Sequence, residues 1–227
     1  MGKKVGGKRY RAELAKVPPG RIAAGEAVKV LKQFKTKFDQ TVELVLWLGI
    51  DPKQADQQVR GSVALPHGIG KTKKVIAFCD AETAEAAKAA GAIEAGADEL
   101  IKKIQDGWTD FDVAIASPSM MRSVSRLGRV LGPQGKMPSP KSGTVVDDVP
   151  TAVREYAAGK VEFRNDDGGN VHVPVGKLSF DDDKLLGNID AFLGRIRAMK
   201  PVSTKGTYIK KVCVSATMSP AVELAVD

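Results

Sequence analysis

Few residues of this sequence have the types and spacing that catalysis or metal binding requires. His67 and His172 are the only histidines, and neither has cysteines or carboxylates spaced to complete a metal site. The acidic run 181–183 suits a helix N-terminus, where negative charge complements the helix dipole, better than a metal site. The sequence contains neither a nucleophile elbow nor a dinucleotide-binding glycine fingerprint. We therefore predict no catalytic residue, no metal and no cofactor.

Residues 68–72, Gly-Ile-Gly-Lys-Thr, share part of the pattern of a phosphate-binding loop. That loop also needs a glycine five residues before its Gly-Lys-Thr, and Leu65 occupies this position. A strand-like run, 75–78, follows instead of a helix. A hinge is the favoured interpretation, and a nucleotide-binding α/β enzyme is the alternative.

A run of basic residues in the middle of the chain has no acidic residue within it. It consists of Arg122, Arg126, Arg129, Lys136 and Lys141. Three glycines and three prolines fall within residues 128–140, and prolines reduce the entropy that a loop loses on meeting a partner. We predict contact with a nucleic-acid backbone here, with a purely structural crossover as the open alternative.

Met218 ends a β-branched segment, between Thr217 and Ser219, and Pro220 stops the strand. Methionine most often fills a hydrophobic core. At a strand end between two hydroxyls, it could instead pack on a sugar while the hydroxyls bond to ribose. The residues alone leave both interpretations open.

The net charge of +8 is concentrated at one end of the chain. Residues 1–66 carry 13 basic and 6 acidic side chains, so their net charge is 13 − 6 = +7. Such an asymmetry creates a local field that attracts polyanions. The longest apolar run, 44–48, is far shorter than the roughly 20 residues of a membrane span, and the two cysteines lie in strand-like runs typical of reduced thiols. We predict a cytoplasmic protein with no membrane association.

The outer parts of the chain predict one kind of structure and the middle another. Apolar periodicity in the outer parts predicts helices 26–38 and 183–199, strands 41–48, 58–65 and 207–217, and a β-hairpin of 160–164 with 171–175. The middle predicts strands 74–79, 111–116 and 144–146 alternating with helices 81–90, 97–105, 119–130 and 150–158. Alternation of this kind is typical of a mostly parallel sheet covered on both faces.

These patterns predict a combined α/β and α+β fold in two domains. Neither end alone has enough strands to bury its helix, whereas together they supply two helices and four or five strands. We therefore expect residues 1–66 and 159–227 to form a split α+β domain. Residues 67–158 would be an inserted three-layer, Rossmann-like α/β domain.

Several segments at colinear spacing resemble the bacterial ribosomal protein "L-one" family, the stalk protein of the large subunit. They are residues 37–43 (KFDQTVE), 48–52 (LGIDP), 56–61 (DQQVRG), 65–68 (LPHG), 107–112 (GWTDFD), the loop 127–143, 161–164 (VEFR), 175–177 (VGK) and 205–208 (KGTY). The resemblance covers nearly the whole chain. It implies the split-domain architecture that the patterns also predict.

The resemblance also implies a function: binding of large-subunit (23S-type) rRNA to form a mobile stalk near the exit site, with the protein a monomer when free. Exit-site tRNA and the messenger of its own operon are the further partners implied, through release of deacylated tRNA and translational repression. Position by position, the resemblance carries RNA contact to Lys37, Phe38, Thr41, Arg164, Asp166, His172, Lys205, Ser215, Thr217 and Met218. A non-ribosomal RNA chaperone is a second alternative.

The chain departs from the family pattern at four positions. Ser219 replaces a usual glycine, Ala216 a common threonine, Arg122 a glycine and Ser139 an asparagine. Glycine allows positive φ and close approach of a backbone, so Ser219 bears directly on RNA contact. Arg122 enlarges the basic run, which the resemblance makes a secondary RNA contact, to transfer RNA or ribosomal RNA.

Overall fold

The computed structural model describes residues 6–34 and 36–226, and the chain is mixed α/β with several sheets. The helices are α1 (Lys8–Leu14), α2 (Ala24–Lys32), α3 (Ala81–Ala89), α4 (Asp98–Gln105), α5 (Met121–Val124), α6 (Gly128–Leu131), α7 (Val149–Ala157) and α8 (Asp182–Ala198), with 3-10 turns at Ser125–Leu127 and Pro140–Ser142. The strands are β1 (Thr41–Leu48), β2 (Arg60–Val63), β3 (Val75–Phe78), β4 (Glu94–Gly96), β5 (Val113–Ala116), β6 (Val161–Arg164), β7 (Asn170–Lys177), β8 (Ile209–Ala216) and β9 (Val222–Glu223).

The chain divides into two compact units. The first consists of residues up to Val59, Leu65–Gly70, and residues from Phe163 on. The second consists of Arg60–Ala64 and Lys71–Glu162. The division into two domains at residues 66/67 and 158/159 stays a prediction.

The first unit is built on an antiparallel sheet in the order β7-β1-β8-β9. Alternate residues of β1, including Val42, Leu44 and Leu46, are fully buried, because successive side chains of a strand point to opposite faces. Helix α2 contacts β8, helix α8 contacts β7, and the two helices contact each other. One face of the sheet is therefore the core, and the other face, with Glu43 and Trp47 exposed, is open.

The second unit has a parallel sheet in the order β4-β3-β5 with a hydrophobic cluster on each face. One cluster joins Val75 and Ile115 to α3 and α7, and the other joins Ile76 and Ala114 to α4 and the short helices after β5. Four consecutive buried residues in β3 and in β5 reflect this coverage on both faces.

Several element predictions are confirmed and others are wrong. Strand 41–48 is confirmed to the residue, whereas helix 26–38 ends at Lys32. Helix 119–130 is broken into α5, a 3-10 turn and α6, strand 144–146 is reduced to a single bridge between Ala116 and Val145, and the three-residue β4 was not predicted. The two predicted hairpin strands enter different sheets, β6 with β2 and β7 with β1, although a bridge between Asn165 and Val171 joins their ends.

Within residues 6–34 and 36–226, none of the helices has both the length and the apolar character needed to cross a membrane.

Candidate nucleic-acid interface

Thr41 and Thr217 meet where β1 begins and β8 has just ended. The N–H of Thr217 donates to the Thr41 carbonyl at 3.1 Å, and the N–H of Thr41 donates to Thr217 Oγ1 at 3.1 Å. Lys177, opposite Thr41 on β7, donates from Nζ to Thr41 Oγ1 at 2.8 Å. Three strands thus bring two hydroxyls and an ammonium group to one edge of the sheet.

Gln40 fixes the turn that follows β8. Its side chain is fully buried, and its Nε2 donates to the Phe34 carbonyl at 2.8 Å. Its Oε1 accepts the backbone N–H of Met218 at 2.9 Å. The turn carrying Met218 is therefore held to the segment between α2 and β1 by a satisfied buried amide.

Ser219 completes this turn without the backbone conformation that glycine would allow. No residue other than glycine has positive φ in the described part of the chain, so Ser219 is unstrained. Its Oγ accepts the N–H of Ala216 at 2.8 Å, and its own N–H donates to the Ala216 carbonyl at 3.0 Å. The hydroxyl of Ser219 thus takes part in closing the turn.

Two apolar side chains lie open beside these polar groups. Phe38 is 52% exposed and Met218 is 49% exposed, although both are large and hydrophobic. Lys37, next to Phe38, is also exposed. Sequence periodicity placed Phe38 on a buried helical stripe, but the helix ends at Lys32, and Phe38 falls in the irregular segment before β1.

Arg9 is a further basic residue at this edge that sequence reasoning missed. It donates from Nη2 to the Met218 carbonyl at 2.9 Å, and its Nε lies 3.8 Å from the carboxylate of Glu13 one helical turn later. A basic residue four positions before an acidic one on a short helix was the signal available. Gln40 and Lys177 were also missed, since their roles depend on contacts across the sheet.

The other residues predicted in this unit lie toward the opposite end of β1, except Ser215. Ser215 pairs with Glu43 and is half-buried on the open face. His172 pairs with Val45, and exposed Lys205 precedes β8, whose first residue pairs with Leu48. Exposed Arg164 ends β6, close in sequence to Asp166.

Asp166 organises the turn between β6 and β7. Its Oδ1 accepts the backbone N–H groups of Gly168 at 2.9 Å and Asn170 at 2.7 Å. Hydrogen bonds from the side chain and backbone of Asn170 hold the pKa of Asp166 below its usual value of 3.8. His172 Nε2 lies 3.9 Å from Asp166 Oδ2. These contacts give Asp166 a structural role in the turn between β6 and β7.

The predicted secondary contacts all lie in the second unit. Arg122, Arg126, Arg129 and Lys141 are exposed there. Lys136 differs, because its Nζ donates to the Thr109 carbonyl at 2.9 Å and lies 5.0 Å from the centre of the Phe111 ring. Four of the five basic side chains are therefore open to an anionic partner, and Lys136 is tied to its own unit.

No group of three or more potential metal-binding side chains occurs within the described ranges. The edge at Thr41 and Thr217 combines hydroxyls, cations and exposed apolar surface on a hydrogen-bonded backbone. A threonine hydroxyl has one donor hydrogen and two acceptor lone pairs, so Thr41 Oγ1 can accept from Lys177 and still donate. Such an edge can bind a sugar–phosphate backbone.

Comparison with known proteins gave a family match and close relatives. A family model described as "Ribosomal protein L1p/L10e family" matches residues 30–220. The chain is 61% identical over 226 residues to "Large ribosomal subunit protein uL1" of Rhodopirellula baltica, covering 99% of this chain and 100% of that protein. It is 55% identical over 200 residues to the protein of the same name from Kosmotoga olearia, covering 88% of this chain and 87% of that one.

Proposed function

The chain belongs to the ribosomal protein L1p/L10e family, and from this premise we propose that it binds large-subunit rRNA through the edge formed by Thr41 and Thr217. Membership makes it a cytoplasmic structural constituent of the large ribosomal subunit that serves translation, and not an enzyme.

The observation that carries the proposal is the hydrogen-bonded pairing of Thr41 with Thr217 beside Met218, whose backbone N–H is held by Gln40. Double-stranded RNA hides its base edges in a deep groove, so proteins recognise its shape, its ribose hydroxyls and its irregular loops. Arg9 and Lys177 at this edge are already hydrogen-bonded, so little of their side-chain entropy remains to be lost on binding.

We assign separate roles to the polar and apolar groups of this edge. Thr41, Ser215 and Thr217 bond to sugar and phosphate, each bond contributing ~0.5–1.5 kcal/mol net. Phe38 and Met218 cover those bonds and keep water away from them. Lys37 neutralises phosphate and adds a salt-sensitive contribution.

Arg164, Asp166, His172 and Lys205 form the remainder of the proposed RNA surface. Asp166 acts there by shaping the turn that presents its neighbours, since its oxygens already accept backbone N–H groups. Arg164 and Lys205 are exposed and can reach phosphate.

Three more specific functions rest on the family resemblance alone. We propose that the protein forms the mobile stalk near the exit site, assists release of deacylated tRNA and represses translation of its own operon messenger. The exposed guanidinium groups of Arg122, Arg126 and Arg129 are the candidate tRNA contacts. We also propose that the two compact units are the two domains expected from the sequence.

Filter binding of the full chain to the stalk stem–loop of large-subunit rRNA tests the proposal. A duplex of equal length and scrambled sequence is the matched control. Preference for the stem–loop, lost in a double variant Thr41→Val and Thr217→Val that still folds, is the expected result. Equal affinity for both RNAs would favour the RNA chaperone alternative, and unchanged binding by the double variant would remove Thr41 and Thr217 from the interface.

A further inference from the structure

Trp47 is an exposed aromatic residue on the open face of the sheet, away from the proposed rRNA edge. It is 45% exposed and lies six residues after Thr41 on β1, hence about 20 Å away at the rise of a strand. Asn170 of β7 and Lys211 of β8 are its cross-strand partners. None of the roles assigned above uses this ring.

A β-bulge beside Trp47 brings two consecutive lysines to its side of the sheet. Trp47 pairs with Lys211 and Leu48 pairs with Ile209, so Lys210 is the extra residue of β8. Consecutive residues of a regular strand point to opposite faces, and a bulge re-aims a side chain. Lys210 thereby reaches over the indole, with its Nζ 4.7 Å from the ring centre.

The two lysines differ in their electrostatic surroundings. Lys211 forms an ion pair with Glu223 at 2.9 Å, and Glu223 also binds Arg21 at 2.8 Å. Lys210 has no carboxylate within ion-pair distance in the part of the chain that the structure describes. Its charge is therefore available to an anion held against the tryptophan ring.

We propose that Trp47 stacks on an unpaired nucleobase and that Lys210 contacts the phosphate of the same nucleotide. An exposed aromatic ring flanked by a lysine is the usual platform for single-stranded nucleic acid, because every base has a π-face and every nucleotide a negative charge. The exposed basic residue Lys205 lies in the segment leading to the same end of β8. This inference rests on the proposed function. It adds a second contact that prefers unpaired bases, whereas the edge at Thr41 and Thr217 binds sugar and phosphate.

Tryptophan fluorescence isolates this contact. The chain has two tryptophans, so the full-length variant Trp108→Phe leaves Trp47 as the sole indole. The probes are the rRNA stem–loop with its unpaired bases and a short single-stranded oligoadenylate, with RNA binding followed separately by anisotropy of a labelled RNA. We expect both RNAs to quench Trp47.

Substitutions then assign the interaction. Trp47→Ala should weaken oligoadenylate binding about tenfold or more, while Trp47→Phe retains most of the affinity. Lys210→Ala should weaken it severalfold, and Lys184→Ala, which removes an exposed lysine from the helix on the opposite side of the sheet, should not.

The outcomes separate the two proposals. Stem–loop binding by anisotropy without any quenching of Trp47, or full oligoadenylate affinity in Trp47→Ala, would overturn the stacking site and leave the proposed function standing. Absence of stem–loop binding by the parent chain would overturn the proposed function itself.

Discussion

Gln40 accepts the backbone N–H of Met218 at 2.9 Å, joining residues 178 positions apart in the chain. The same side chain donates to the Phe34 carbonyl at 2.8 Å, and the Gln40 carbonyl accepts the N–H of Leu178 at 2.8 Å. One buried residue therefore connects the segment after α2, the end of β7 and the turn after β8. The proposed rRNA edge depends on this connection for its shape.

Replacing Gln40 with Ala should lower the free energy of unfolding by about 2–4 kcal/mol, because the Met218 N–H and the Phe34 carbonyl lose their partner in a buried site. Affinity for the rRNA stem–loop should also fall at temperatures where the variant is fully folded, since Met218 is no longer held in place. Denaturant unfolding and filter binding measure the two effects. Gln33→Ala, an exposed glutamine at the end of α2, is the control and should change neither. Full RNA affinity in folded Gln40→Ala would contradict the positioning role.

The sequence predicted strand β1 to the residue because its apolar residues alternate over the whole of 41–48, and one face of the sheet is buried. It predicted α2 too long because Phe34 fits the helical stripe and is buried. The chain nevertheless leaves the helix after Lys32, through bonds from Gln33 to Val30 and from Phe34 to Leu31 that tighten the last turn. The Phe34 carbonyl accepts a hydrogen bond from the Gln40 side chain instead of from a further helical N–H.

Other elements could not be predicted because their stability depends on contacts with residues distant in sequence. Strand β4 has three residues, two of them Ala95 and Gly96 with weak strand preference, and exists through parallel pairing with β3. At the proposed interface, residue types predicted Thr217 and Met218 as candidates. The contacts of Arg9, Gln40 and Lys177 join segments distant in sequence, and hydrophobic periodicity does not indicate such contacts.

Replacing Met218 with Ala should weaken stem–loop binding by about five- to tenfold while leaving stability nearly unchanged. The side chain is 49% exposed, so the free protein loses little burial, whereas the complex loses the cover over its hydrogen bonds. Met218→Leu keeps an apolar side chain of similar volume and should retain most of the affinity. Filter binding across a salt series measures the change. Because no charge is removed, the dependence of affinity on salt should stay the same; a shallower dependence would show that the variant disturbed phosphate contacts instead.

Asn188 is a buried polar residue on α8 whose loss should destabilise the first unit. Its Oδ1 accepts the His67 N–H at 3.1 Å, and its Nδ2 donates to the carbonyls of Gly68 at 2.9 Å and Val175 at 2.7 Å. Asn188→Ala leaves these groups without their side-chain partner, and we expect the free energy of unfolding to fall by about 2–4 kcal/mol. Denaturant unfolding followed by circular dichroism measures the loss. Asp190→Ala, on an exposed position of the same helix, is the control. A change below about 0.5 kcal/mol in Asn188→Ala would show that these bonds do not stabilise the fold.

Asp166 should make the stability of the β6–β7 turn depend on pH in the acid range. Hydrogen bonds from Asn170 and Gly168 hold its pKa below the usual 3.8, so the folded chain favours the charged carboxylate more than the unfolded chain does. The stabilisation is therefore complete above the unfolded pKa and disappears as pH falls through the lower, folded pKa.

Asp166→Ala should accordingly be less stable than the parent chain at neutral pH, and the difference should shrink as the solution is acidified. Carboxyl chemical shifts from NMR measure the folded pKa directly, and urea unfolding at a series of pH values measures the stability difference. Asp167→Ala, at the neighbouring exposed position, is the matched control. A folded Asp166 that titrates at or above 3.8 would contradict the prediction, because the hydrogen bonds to its Oδ1 would then confer no preference for the charged form.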